Sequence, residues 1–270
     1  MDAAGMPLGS LAAINRLEPA EKEAVYIRLL PLRLCELLGM APDTGTTASG
    51  ARLVNIIAPE GLPLVRMEVR ARPDDEDTVF FLELSDTQFR QMELCFCIVS
   101  DPGAERFDVD RDEQGRINWF ASHGRNIPEE VRAMRSGLFP NQTRRGLGLF
   151  ADLFPLLERF VDSLGMEMIV AEPLTYDNAI RYETYGFDYL QGRRLMLEID
   201  REFRPGGRYF TRLDGSTPFR MPGMERTVRG RSWAIHDGIM DEPWDEVRIY
   251  KMIGRHAGIT TFPGREQEQR

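Results

Sequence analysis

Pro140-Asn141-Gln142-Thr143-Arg144-Arg145-Gly146-Leu147-Gly148, followed downstream by Tyr182-Glu183-Thr184-Tyr185-Gly186-Phe187, is the part of the chain on which the fold turns. Gly146 and Gly148 remove two side chains where a backbone would approach a ligand closely. Directly behind them, residues 149–164 place Leu153, Leu157, Phe160, Val161 and Leu164 on one side of an amphipathic helix closed by Gly165. The first N–H groups of such a helix have no partner inside it and carry partial positive charge. A diphosphate set against them gains several charge-assisted hydrogen bonds at once. Arg144 and Arg145 add fixed positive charge beside that position. A Gly-x-Gly pair is also a common turn, and the order of the elements downstream singles this one out. The helix leads to a strand at 168–171, then to a second helix at 177–185 that ends in Tyr-x-x-x-Gly-Phe.

Upstream, four runs rich in β-branched and aromatic residues, at 53–58, 65–70, 78–84 and 92–100, are separated by turn-rich pieces. Their spacing predicts an antiparallel meander. Residues 19–38 read as helix, with Pro19 at the first helical position and Pro31 as a break or kink. A Gly/Thr/Ser linker comes next at 43–50. Between meander and glycine loop lie a polar, turn-rich piece, a short strand at 117–121 and a short helix at 128–135. A further strand is expected at 195–199. Beyond Arg201 the chain is rich in Gly, Pro and Arg, and only short segments such as 247–252 read as regular.

The chain has 270 residues, 42 % apolar and 29 % charged, enough for a sizeable core. No apolar run approaches the length of a membrane span, and residues 1–10 show no basic segment ahead of an apolar one, so a cytoplasmic protein is expected. The net charge of −9 disfavours nucleic acid as a partner. Within residues 193–231, however, ten arginines face five acids, a local excess of +5. Three cysteines, Cys35, Cys95 and Cys97, do not make a disulfide framework and read as small core residues. His123, His236 and His256 show no ligand spacing, so no metal is expected. Residues 110–118 imitate the first nine places of an EF-hand loop, but the twelfth is Ala121 where a bidentate Glu belongs, and Gln114-Gly115 as a hairpin turn explains the same residues.

With loop, helix, strand and terminal segment in this order, residues 138–199 resemble the GNAT superfamily of acyl-CoA-dependent N-acyltransferases. In that family a Val-x-Pro strand end leads into Arg/Gln-x-x-Gly-x-Gly/Ala, whose amides hold the CoA pyrophosphate. A later Asn-x-x-Ala-x-x-x-Tyr-x-x-x-Gly-Phe segment supplies a tyrosine near the cofactor sulfur. Here Leu138-Phe139-Pro140 stands at the strand end, Gly146 and Gly148 at the glycines, and Tyr182, Gly186 and Phe187 in the second segment. Four features depart from the pattern. Thr143 fills the Arg/Gln slot beside Gln142, and Thr175 fills the Asn slot unless a shift makes Asn178-Ala179 the equivalent pair. Pro155 lies inside the helix, and the helix at 128–135 intervenes before the loop.

The resemblance implies an α+β (α/β) fold with a mixed, mostly antiparallel central sheet flanked by helices. It implies a helical arm and linker at 1–49, an acyltransferase-like domain at 50–200 and an extension at 201–270 that packs on the domain or on a partner subunit. Acetyl-CoA or another acyl-CoA would be the co-substrate, held by Thr143, Arg144, Arg145, Gly146, Leu147, Gly148 and Asn178. The acceptor would be a small-molecule or peptide amine. Tyr182 would protonate the leaving thiolate, with Tyr185 as a substitute, and His123 and Glu93 are the nearest candidates for the base. Two other readings stay open. One is a long-chain N-acyl amino acid or acyl-homoserine lactone synthase-like enzyme, whose acidic carrier protein the arginine band would suit. The other is a non-catalytic acyl-CoA-binding protein. Trp233, Trp244 and Tyr250 are typical interface anchors, which makes a homodimer possible.

Overall fold

Alternation with a period of two is strongest between residues 54 and 99, and there the computed structural model, which describes residues 8–118 and 124–264, forms a meander. Strands β1 (Val54–Ile57), β2 (Leu64–Val69), β3 (Phe80–Asp86) and β4 (Met92–Val99) pair antiparallel in sequence order. Val65, Met67 and Val69 of β2, Phe80, Leu82 and Leu84 of β3, and Met92 and Leu94 of β4 are all buried. The chain divides into two compact units, one of residues 1–103, 146–171 and 250–255, the other of residues 104–145, 172–249 and 256–270. The secondary structure is mixed α+β, and the pairing is mostly antiparallel.

In the first unit the amino-terminal segment is helical in pieces: α1 (Leu11–Ile14), α2 (Pro19–Tyr26) and α3 (Leu32–Leu38). Pro31 separates the last two, as its fixed φ and missing N–H require, and serves as N-cap of α3. A polar network fastens this segment to the sheet. Tyr26 Oη donates to Asn15 Oδ1 at 2.6 Å, and Asn15 Nδ2 donates to the carbonyls of Leu62 and Leu64 at 2.6 and 2.8 Å. Asp86 Oδ2 accepts the N–H of Leu11 at 2.7 Å, supplying the acceptor that the start of α1 lacks. Helix α5 (Phe150–Ser163) buries Leu153, Leu157 and Val161, and Phe160 meets Tyr26 ring to ring. Strand β5 (Met168–Ala171) runs parallel to β4, as a strand reached through a crossover helix should.

The second unit holds α4 (Ile127–Arg135), α6 (Tyr176–Thr184), β6 (Asp188–Gln191), α7 (Arg193–Glu202), α8 (Arg208–Thr211) and α9 (Val228–His236). Strand β7 (Arg248–Met252) begins there, and the carboxyl-terminal part of β7 belongs to the first unit. The core of the second unit contains Phe107, Ala133, Leu138, Phe219 and Trp233. Trp233 stacks on Phe219 and donates to the Leu138 carbonyl at 2.9 Å. Beside it Glu130 accepts hydrogen bonds from Arg125 and faces His236 Nε2 at 3.1 Å, while Arg125 also reaches Asp237 at 2.8 Å. These bonds tie α4 to α9.

Two expected strands are absent among the described residues. Residues 195–199 are helical, because Met196 and Ile199, spaced for one helix face, are the buried residues and Leu197 is exposed. Residues 138–140 are not extended into a strand, and Leu138 is instead a core residue. The strand expected at 117–121 lies largely outside the described residues, although Arg111 and Ile117 form a bridge around Gly115. Gly115 has φ of 78° and closes the turn on the Asp112 carbonyl, the hairpin reading of that loop. The Asp112 carboxylate is taken up by the N–H groups of Gln114 and Arg116 and by the Arg116 guanidinium.

Candidate functional site

The glycine loop returns to the end of β4. A Cβ on Gly146 would stand 3.2 Å from the Val99 carbonyl, so only a residue without a side chain lets the two backbones meet without displacement. Gly148 has φ of +67°, in the left-handed region that favours glycine. Among the described residues, the N–H groups of Gly146, Leu147, Gly148 and Leu149 donate to no protein acceptor. The first helical hydrogen bonds of α5 are those of Asp152 and Leu153 to the Leu149 carbonyl. Four successive amides without a protein acceptor among the described residues thus precede a fourteen-residue helix, whose start carries partial positive charge. Pro155 lies in the second turn of α5 without ending it. The chain places it where the proline costs one backbone bond.

Pairing between β4 and β5 is short. Met92, Glu93 and Leu94 pair with Ile169, Val170 and Ala171, and from there to Val99 β4 is paired with β3 and no longer with β5. At the same point β4 carries an irregularity. Leu84 pairs with Leu94 and Glu83 with Phe96, so Cys95 is one residue in excess against β3, a β-bulge. Leu94 and Cys97, three apart, thus pair with Leu84 and Leu82, which are two apart. A bulge leaves the extra residue's backbone out of the ladder. Nothing in the composition of β4 marks this irregularity. Burial first, and for Cys95 the neighbouring charge of Glu93, pushes both thiols up to about 12, so neither is a thiolate at neutral pH. Glu93 sits opposite Ser85 and beside Val170. His123 lies outside the described residues.

An arginine does reach the loop, although not from the expected slot. Arg33 of α3 donates to the Leu147 carbonyl and pairs with Asp152 Oδ2 in the first turn of α5 at 3.3 Å. Gly146, Leu147, Gly148 and Arg33 all belong to the first unit.

The remaining expected residues belong to the second unit. The Thr143 carbonyl accepts the Phe107 N–H at 2.8 Å, Arg144 donates to the Ala104 carbonyl, and Arg145 is exposed. On α6, Asn178 and Tyr182 are half-buried, and the Tyr182 ring lies 5.0 Å from that of Phe187. Gly186 ends α6 with φ of +86° against His256, where any Cβ would come within 2.9 Å of His256 Cα. The Gly-Phe pair therefore has a packing role of its own. Glu183 is buried and accepts from Tyr189 Oη and Thr261 Oγ1, each at 2.6 Å.

Most of the arginines in the band are engaged in ion pairs, chiefly with the band's own acids and with Asp237 and Asp241, and the band keeps a positive excess. Arg201, Arg204, Arg208, Arg212, Arg220, Arg226 and Arg231 each pair with a carboxylate, among them Glu198, Asp200, Glu202, Asp237 and Asp241. Among the described residues no group of three or more His, Cys, Asp or Glu is arranged to hold a metal, and no helix is long and apolar enough to cross a membrane. Comparison with family models, with curated proteins and with solved structures gives no match.

Proposed function

We propose that the chain is an N-acyltransferase that moves an acyl group, acetyl in the simplest case, from acyl-CoA to an amine. The observation that carries this reading is the run of unpaired amides from Gly146 to Leu149, set between the free end of β4 and the head of α5. These donors suit the diphosphate of CoA: they are consecutive, two of the four lack side chains, and the helix behind them favours negative charge. The parallel β4–β5 pair, which stops at Leu94 and Ala171, and the bulge at Cys95 support the same reading.

When bound, acyl-CoA supplies an activated thioester carbonyl. The chain's own part is electrostatic and positional. The amides at 146–149 bind and orient the diphosphate. The irregular backbone at Cys95 is the part of β4 assigned to donate to an oxygen that gains negative charge, a contribution that costs no reorganisation at the moment of reaction. As the amine nitrogen bonds to the acyl carbon and the carbon–sulfur bond breaks, the nitrogen gives up one proton to water and the sulfur takes one up. Tyr182, the tyrosine of the Tyr-x-x-x-Gly-Phe segment, is the residue to which the resemblance assigns that donation. The carrier-protein reading rests on the arginine band alone, whose residues pair in large part with carboxylates of the chain itself.

The test is acyl transfer from acetyl-CoA and longer acyl-CoA to a broad amine panel by the full chain and by Tyr182→Phe. The expected loss is about 10²–10⁴-fold in kcat with CoA affinity unchanged. Binding of CoA without transfer to any amine, in either protein, would leave a binding protein and not an enzyme.

A further inference from the structure

We infer that Arg33 is a positioning residue for the glycine loop, aiming the Gly148 N–H at the diphosphate; this rests on the acyl-CoA reading of that loop. The Leu147 carbonyl and the Gly148 N–H belong to one peptide unit, and the described chain contains no cis peptide. In a trans unit the two groups point in opposite directions. Arg33 Nη2 takes the carbonyl, so the N–H is directed away from Arg33 and from the α3 segment that carries it.

Local sequence does not hold this plane by itself. Gly148 has no Cβ to bar rotation, and apart from Arg33 Nη2, 3.9 Å away, nothing stands within 4 Å of where its Cβ would be. A peptide ending in such a glycine turns over at little steric cost. The adjoining N–H groups add no restraint, because those of Gly146, Leu147 and Leu149 have no protein acceptor among the described residues. The restraint comes from a residue 114 positions earlier in the chain. Asp152 lies 3.3 Å from the other guanidinium nitrogen, a half-exposed ion pair that adds little to the restraint. Arg33 thus meets in space a need that the Arg/Gln slot, occupied by Thr143, does not meet in sequence.

The experiment uses the full chain, ¹⁵N-labelled, as wild type, Arg33→Ala, Arg33→Lys and Asp152→Asn. Two quantities are read: the Gly148 amide resonance and its hydrogen exchange without ligand, and the dissociation constant of CoA by calorimetry. Arg33→Ala should move the Gly148 amide and weaken CoA about tenfold, the loss of one charge-assisted hydrogen bond. Arg33→Lys, which still donates to a carbonyl, should recover most of both. Asp152→Asn should leave the amide in place. An unmoved Gly148 amide in Arg33→Ala, with the global unfolding midpoint unchanged, overturns the inference. If that amide moves as described but wild type binds no CoA, the positioning role stands and the acyl-CoA reading falls.

Discussion

Replacing Gly148 by glutamate separates the folding role of the loop from its binding role. At φ of +67° any residue with a Cβ pays roughly 1–2 kcal/mol of backbone strain. No further steric cost is expected, since the only atom within 4 Å of the new Cβ is the end of the flexible Arg33 side chain. The variant should therefore fold, less stable by that amount. Its carboxylate, however, stands before the unpaired amides of 146–149 and beside Arg33, where it competes with a diphosphate for the same donors. At a hundredfold excess over its dissociation constant, a ligand adds about 2.7 kcal/mol to the stability of the folded state. For a chain of this size each kcal/mol moves the midpoint by roughly 2–4 °C, so CoA should raise the wild-type midpoint by about 5–10 °C. The assay is thermal unfolding followed by tryptophan fluorescence, with and without CoA, for wild type, Gly148→Ala and Gly148→Glu. Gly148→Ala carries the strain without the charge and should retain most of the shift, whereas Gly148→Glu should lose it. Equal shifts in wild type and Gly148→Glu would refute the assignment of the diphosphate to these amides. No shift in wild type with any CoA species would remove the cofactor altogether.

Buried polar groups give three further expected outcomes. Tyr26→Phe leaves Asn15 Oδ1 buried without its donor and should cost about 1–3 kcal/mol in urea unfolding; a neutral change would mean that the network does not fasten the amino-terminal segment. Burial pushes the Asp177 carboxyl up, against the opposing charge of Arg181, and its Oδ1 has no hydrogen-bond partner. A raised folded pKa gives stability that is full in acid and lost as pH rises through it, so Asp177→Asn should gain on wild type from pH 4 to 8; parallel pH profiles would contradict this. For Glu130 burial acts upward, but hydrogen bonds from His236 and Arg125 outweigh it and hold the carboxyl below its ordinary range. Its stabilisation is present above the ordinary carboxylate range and lost as pH falls, so Glu130→Gln should cost about 3–5 kcal/mol at neutral pH and progressively less in acid. A deficit that stays constant down to pH 2 would show that the loss is packing and not charge.

How much could be read from sequence depends on the range of the forces involved. The meander was legible because each strand buries alternate residues, a pattern written in β2, β3 and β4 themselves. Residues 195–199 misled because Leu195, Leu197 and Ile199 alternate like a strand, while the burial that decides the outcome runs through Met196, Ile199 and Phe203 at helical spacing. The glycine loop was legible as a local device, since free amides arise from glycine and a helix start. Arg33 was not, because nothing in residues 32–38 marks one arginine as reaching Leu147. The bulge at Cys95 was hidden for a different reason. A bulge is a mismatch between two strands, and the composition of β4 alone records no partner.

The same distinction explains why the strand end before the loop was sought in the wrong place. Leu138-Phe139-Pro140 immediately precedes the glycines in sequence, yet Leu138 gives its carbonyl to Trp233 and its side chain to a core. The strand that meets the loop in space is β4, which ends at Val99, with Gly146 against that residue's carbonyl. A segment whose two ends already touch can lengthen cheaply, because the entropy of closing a loop grows only with the logarithm of its length. The stretch between Val99 and Gly146 is such a segment, and its growth leaves the parallel pairing of β4 with β5 intact. The requirement then falls on Gly146 alone. A side chain there would push the two backbones apart by a few tenths of an ångström, because the contact that closes the stretch leaves only 3.2 Å between the Val99 carbonyl and where a Cβ would be. Gly146 thus has a reason to be glycine that is independent of any ligand, whereas the unpaired N–H groups beside it have no such structural use.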